Sequence, residues 1–169
     1  MTKQSSIFDY LFGPSETAGS QWELRVDGAC RGNPGSSGAG VYIKKDGQDF
    51  IKKGFYLGKG TNNRAEYLAF LIGVFYLKKE MKKEDSVILM SDSQLVIRQL
   101  EGIYCIKNVH LKVFYTAICN ELSSLKHSFK HIEREYNTVA DMLANQGVDS
   151  KTSLPLKFLD TLQSYGIYL

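Results

Sequence analysis

The order in which strand-like and helix-like segments follow one another constrains this fold more than any single residue. Residues 22–26, 39–44 and 50–56 read as strands, with Asn33-Pro34-Gly35 and Asp46-Gly47 supplying the turns between them. From Ala65 to Tyr76 the apolar positions Ala65, Leu68, Ala69, Ile72, Phe75 and Tyr76 recur every three or four residues, the spacing of an amphipathic helix. Val87-Ile88-Leu89-Met90 is a short apolar run with the length of a buried strand, and residues 93–100 and 111–125 read as helices. A last strand falls near residues 129–133, and a further helix starts around Thr138. Three meander strands followed by helix, strand, helix, strand and helix predict an α/β domain: one mixed sheet with helices on its faces.

With 169 residues, 43% of them hydrophobic and 23% charged, the chain is the size of one domain that buries a core without staples. The predicted division is a tail and linker at 1–21, the folded domain at 22–150 and a C-terminal tail at 151–169 that packs on the domain through Leu156, Phe158, Leu159 and Leu162. A net charge of +3 makes no composition-level case for nucleic acid, so any basic surface must come from placement. Lysine pairs such as Lys44-Lys45 and Lys78-Lys79 read first as solvated faces. Cys30, Cys105 and Cys119 form neither an even disulfide set nor a metal spacing, which favours a reducing, cytoplasmic setting. No apolar stretch approaches the roughly 20 residues needed to span a bilayer, so a membrane partner is not expected. A monomer is the simple reading.

Four acids carry the chemistry. Asp27 and Asp92 each follow a predicted strand, and two carboxylates at the carboxyl ends of parallel neighbours about 4.8 Å apart share one rim. Glu66 and Asp141 open the helices that could lean over that rim. Each acid has a plainer reading. Asn63-Arg64-Ala65-Glu66 and Thr138-Val139-Ala140-Asp141 both fit a capping box, and Asp92 could be an N-cap. As a set, four crowded anions would repel by roughly several kcal/mol unless a cation or shifted protonation relieved them. Oxygen-only donors favour magnesium or manganese, because His110, His127 and His131 lack a zinc-ligand spacing.

Asp27-Gly28-Ala29-Cys30-Arg31-Gly32-Asn33-Pro34-Gly35, Thr61-Asn62-Asn63-Arg64-Ala65-Glu66, Ser91-Asp92-Ser93-Gln94 and Asn137-Thr138-Val139-Ala140-Asp141-Met142-Leu143-Ala144 occur in the order of the four signatures of type 1 ribonucleases H, which the chain resembles from about residue 22 to 148. The resemblance implies a ribonuclease H-like fold, a five-stranded mixed sheet with strands 1–3 antiparallel and strands 4 and 5 parallel, flanked by helices. It also implies an endonuclease that cuts the RNA strand of RNA–DNA hybrids, leaving 5′-phosphate and 3′-hydroxyl ends, a chemistry tied to DNA replication. Asp27, Glu66, Asp92 and Asp141 would be both catalytic residues and ligands of two Mg2+ ions, with Mn2+ as a substitute. In that scheme Asp27 bridges the ions, Asp141 completes the site that activates water, and Glu66 and Asp92 serve the leaving oxygen. Cys30, Gly32, Asn33, Asn62, Asn63 and Gln94 would meet the minor groove, while Asn33 and Thr61 hold a DNA phosphate. Short polar groups suit a groove lined with 2′-hydroxyls, although the same residues also read as an ordinary turn and helix start.

The chain departs from many relatives in two places. It has a short loop before Asp141 in place of a longer one bearing a histidine, His131 falling within a predicted strand, and residues 101–110 contain only Lys107 where some relatives have a lysine-rich protrusion. Weaker hybrid binding is expected from the second, since neutralising phosphates supplies much of the affinity. At the N-terminus, Gln4, Ile7, Tyr10 and Leu11 resemble a sliding-clamp-binding peptide, with Gly13 to Ser20 as a leash; the alternative is a terminal segment that packs its aromatics on its own domain or stays disordered. Two other readings compete with the hybrid nuclease: a catalytically silent binding module, which would have lost an acid, and a junction-resolving DNase.

Overall fold

The computed structural model describes residues 19–169, so the clamp-peptide positions Gln4, Ile7, Tyr10 and Leu11 lie outside the described residues. Five strands form one sheet: β1 (Gln21–Gly32), β2 (Gly35–Lys45), β3 (Gln48–Gly60), β4 (Ser86–Ser91) and β5 (Lys126–His131), in the order β3-β2-β1-β4-β5. The first three pair antiparallel through hairpins at residues 33–34 and 46–47; β4 runs parallel to β1, and β5 parallel to β4. The mixed sheet expected from the sequence is therefore the sheet observed. The helices are α1 (Asn62–Glu80), α2 (Gln94–Leu100), α3 (Val109–Leu122), α4 (Thr138–Ser150) and α5 (Leu156–Ser164).

Side chains alternate across β1. Trp22, Leu24, Val26 and Gly28 are buried, and their face receives α1: a Cβ on Gly73 of that helix would meet the Leu24 side chain at 2.5 Å. Glu23, Arg25 and Asp27 point to the opposite face, onto which α4 packs beside β2. Gly40 is the pairing partner of Asp27, and a Cβ there would lie 2.0 Å from the Ala140 carbonyl oxygen. A hydrogen in place of a methyl lets α4 lie directly on the sheet next to Asp27.

Three local expectations need correction. The first strand does not end at Val26 but continues to Gly32, because β2 goes on pairing with it after β4 has left. Asp27 therefore lies within a strand, two residues past the last parallel pair, Arg25 with Met90. Next, α1 is not amphipathic over its central turns. Every residue from Ala65 to Val74 is buried, since α3 packs along it and Phe158 of α5 meets Phe75 with ring centroids 5.3 Å apart. Lastly, β5 covers residues 126–131 instead of 129–133; it is an edge strand whose sequence KHSFKH offers Phe129 as its one apolar residue, so periodicity carried almost no signal there.

Candidate active site

Asp27, Glu66, Asp92 and Asp141 line one cleft of about 320 Å³, together with Gly28, Ala29, Cys30, Asn62, Ser93, Arg134 and Asn145. Each acid arrives on a different element. Asp27 stands on β1 where the β4 ladder stops, and Asp92 immediately follows β4, whose last residue is Ser91. Glu66 is the fifth residue of α1, brought against β1 by Gly28: a Cβ there would be 2.3 Å from the Glu66 backbone nitrogen. Asp141 lies in the first turn of α4.

Capping does not explain these acids. The N-cap of α1 is Thr61, whose hydroxyl accepts from the Arg64 N–H at 3.3 Å, while Glu66 is already a turn further on. Ser93 caps α2 in place of Asp92. At α4 the capping position belongs to Asn137, and no side chain caps the helix.

Burial and mutual repulsion tune the acids. Burial, followed by the charges of Asp92 and Asp141, pushes the Asp27 carboxyl up to about 6. Burial raises Glu66 to about 7, with Asp27 and Asp92 adding to the rise and the nearby Ser93 and the Asn62 amide opposing it. Asn62 Nδ2 donates to Glu66 Oε1 at 2.9 Å, whereas Glu66 Oε2 is buried with no hydrogen-bond partner. Arg134 reaches Asp141 at 3.6 Å, but its side chain is 81% exposed, and it offers only screened compensation.

Among the described residues, no group of three or more His, Cys, Asp or Glu side chains is set to hold an ion as it stands. The donor chemistry nonetheless fits a hard divalent cation. The wall carries four carboxylates and no thiolate or imidazole ligand set, one buried oxygen without a partner, and two acids that are costly to ionise until a positive charge joins them.

The candidate substrate residues separate. Cys30 and Asn62 line the cleft. Gly32, Asn33, Asn63 and Gln94 are exposed around it and not part of its wall; Asn33 Oδ1 accepts from the Asn62 N–H at 3.2 Å, tying the β1–β2 turn to the start of α1. Thr61 faces a second groove with Arg64, Asn108 and the C-terminal residues Gly166 to Tyr168. His131 ends β5, its Nε2 3.2 Å from the Asp92 carbonyl oxygen, and does not line the cleft. Sequence reasoning passed over Ser93, Arg134, Asn137 and Asn145. Ser93 and Asn137 stood inside the third and fourth signatures without a role of their own, and nothing local distinguishes Arg134 or Asn145 from surface residues.

A β3-β2-β1-β4-β5 sheet with four carboxylates gathered where β1 and β4 part defines the class of ribonuclease H-like α/β domains. Comparison with known proteins agrees: residues 25–147 match the family model described as reverse transcriptase-like. The chain is 33% identical over 147 residues to ribonuclease H of Pseudomonas entomophila, covering 75% of this chain and 93% of that one. It is 36% identical over 125 residues to ribonuclease HI of Halobacterium salinarum, covering 73% and 62%. A bifunctional protein of Mycobacterium tuberculosis is 31% identical over 134 residues, and the chain spans 35% of its length. Among solved structures, Halobacterium salinarum RNase H1 superposes with a TM-score of 0.73 at 31% identity, over 77% of this chain and 98% of that one. LC11-RNase H1, solved in complex with an RNA/DNA hybrid, gives 0.70 at 33% identity over 78% and 97%. The chain belongs to the type 1 ribonuclease H family.

Proposed function

We propose that this chain is an endonuclease that hydrolyses the RNA strand of RNA–DNA hybrids and leaves 5′-phosphate and 3′-hydroxyl ends. The observation that carries the reading is the meeting of Asp27, Glu66, Asp92 and Asp141 in one cleft, with Asp27 and Glu66 held at raised affinity for protons. Those four side chains would hold magnesium, with manganese as a substitute; the bound ions would supply an activated water and stabilise the leaving oxygen. Water would lose a proton to solvent as its oxygen bonds to phosphorus, the P–O3′ bond would break, and the 3′ oxygen would take up a proton from solvent.

The protein's own contribution is placement. Glu66 is fixed by Asn62, and Asp92 by Asn137, so neither carboxylate has to be ordered when the scissile phosphate arrives. Cys30 and Asn62 on the wall, with Gly32, Asn33, Asn63 and Gln94 around it, present short polar groups and backbone to a shallow groove, the chemistry suited to 2′-hydroxyls. Thr61 would take a phosphate of the DNA strand. The catalytic unit is residues 22–150, with 151–169 completing its core.

A labelled hybrid, incubated with magnesium with and without EDTA, tests the assignment for the parent protein and for Asp92→Asn. The parent cuts only with the metal, and Asp92→Asn loses at least about 100-fold in rate with its circular dichroism unchanged. Equal rates for the two proteins, or cleavage of branched DNA in preference to the hybrid, would remove the reading.

A further inference from the structure

The side chain of Asn137 occupies the capping position of α4 without capping it. It turns inward and is 1% exposed. Both hydrogens of its amide are committed: Nδ2 donates to the Val26 carbonyl at 2.9 Å and to Asp92 Oδ1 at 3.0 Å. Val26 immediately precedes Asp27, one residue past the last pair between β1 and β4, so Asn137 takes up backbone in the gap that β4 leaves. Its main chain is equally bound. The Asn137 N–H donates to the Arg134 carbonyl at 3.0 Å, and its carbonyl accepts the Asp141 N–H at 3.1 Å, the bond that starts α4.

We propose that Asn137 is a positioning residue which, touching neither phosphate nor water itself, sets the spacing of Asp27, Asp92 and Asp141. One side chain and one carbonyl reach the backbone beside the first acid, the carboxylate of the second and the backbone N–H of the third. No other described residue hydrogen-bonds to all three places. Asn137 Oδ1 makes no hydrogen bond to the protein, so it is the donor end of the amide that ties the β1 backbone to Asp92. An aspartate of the same shape could not serve, because it would face Asp92 with a like charge and no donor.

The proposal rests on the nuclease reading, and two measurements keep the failures apart. The first is steady-state hybrid cleavage by Asn137→Ala at a temperature where circular dichroism shows it fully folded. The second is calorimetric titration of the nucleic-acid-free protein with Mn2+. Groups that orient metal-binding side chains typically contribute 10–100-fold. The expected result is a fall of about that size in kcat with KM for the hybrid within about twofold, and weakening of Mn2+ binding by about tenfold or more. A purely structural role would lower the melting temperature and leave kcat per folded molecule and Mn2+ affinity alone, and that result overturns the proposal. If Asn137→Ala does not fold, Asn137→Asp and Asn137→Ser are read in the same way: the first must lose turnover, the second must retain more than the first, and parity of either with the parent rejects the role. A parent that cuts no hybrid, with Mn2+ binding still weakened by Asn137→Ala, would remove the nuclease reading and leave the positioning role standing.

Discussion

Asp27 and Glu66 are held against their ordinary ionisation, and that has consequences for stability as well as for reaction. Their carboxyls sit at about 6 and about 7, above their usual values of 3.8 and 4.5. The metal-free folded protein therefore keeps protons that the unfolded chain has already released. The stabilising contribution is complete below pH about 4 and is lost as pH rises through 6 to 7. A shift of two units corresponds to on the order of 3 kcal/mol, so metal-free protein should melt about 5–10 °C lower at pH 8 than at pH 5. Magnesium at pH 8 should recover part of that difference, since a ligand that binds only the folded state stabilises it. Glu66→Gln keeps the acceptor for Asn62 and removes the charge; it should flatten the melting profile and raise metal-free stability at pH 8 while abolishing cleavage. A profile that climbs between pH 5 and pH 8 in EDTA would contradict the burial argument. The acids were legible one by one in the sequence, each next to a predicted strand end or helix start. Their protonation was not legible, because it depends on neighbours that are 26 to 114 positions apart in the chain.

At the scale of elements, the site depends on how closely α4 and α1 approach the sheet. Gly40 and Gly28 set those two distances, from opposite faces of adjacent strands. Gly40→Ala would place a methyl 2.0 Å from the Ala140 carbonyl oxygen, an overlap with backbone that no side-chain rotation relieves. Stability should fall by about 1–3 kcal/mol as α4 lifts, and kcat should fall disproportionately because Asp141 moves with the helix. Denaturant titration and single-turnover cleavage would separate the two effects, and a variant that is destabilised yet turns over at the parent rate would show that α4 is not what places Asp141. The glycines stood in the sequence as turn or strand residues, and Gly28 as part of a signature. That each is a contact point for a helix arriving from the other half of the chain is a tertiary fact.

Over the whole molecule, the core is closed by its C-terminus. Phe158, Leu162 and Ile167 are at most 5% exposed and belong to the same cluster as Trp22, Phe70 and Leu77, with Leu159 half-buried against it, whereas Leu156, expected to pack with them, stands 79% exposed at the start of α5. Tyr165 donates from its hydroxyl to Glu121 Oε1 at 2.7 Å, fastening the end of α5 to α3. Removing Phe158 to Ala should cost about 3–5 kcal/mol, the ordinary loss for a buried aromatic, while leaving kcat of the folded protein unchanged, because none of these residues lines the acidic cleft. An unaltered denaturation midpoint would mean that the segment is not part of the cooperative unit. No helix among the described residues is long and apolar enough to cross a membrane.

What the sequence determined by itself was the kind and order of the elements, the two hairpin turns, and the identity of the acids. These follow from residue periodicity, from turn chemistry and from short motifs, all of which act within a few residues. The tertiary structure decided which face each element shows and how far it extends. It prolonged β1 past Asp27 because β2 kept pairing with it, and buried the central turns of α1 on all sides because α3 and α5 covered them. It also made Asn137, which the sequence shows only as the first residue of the fourth signature, a bridge between a strand and the acids. The physical reason is the same in each case: burial, pairing and charge coupling are properties of neighbours in space, and a chain specifies them only once it has closed on itself.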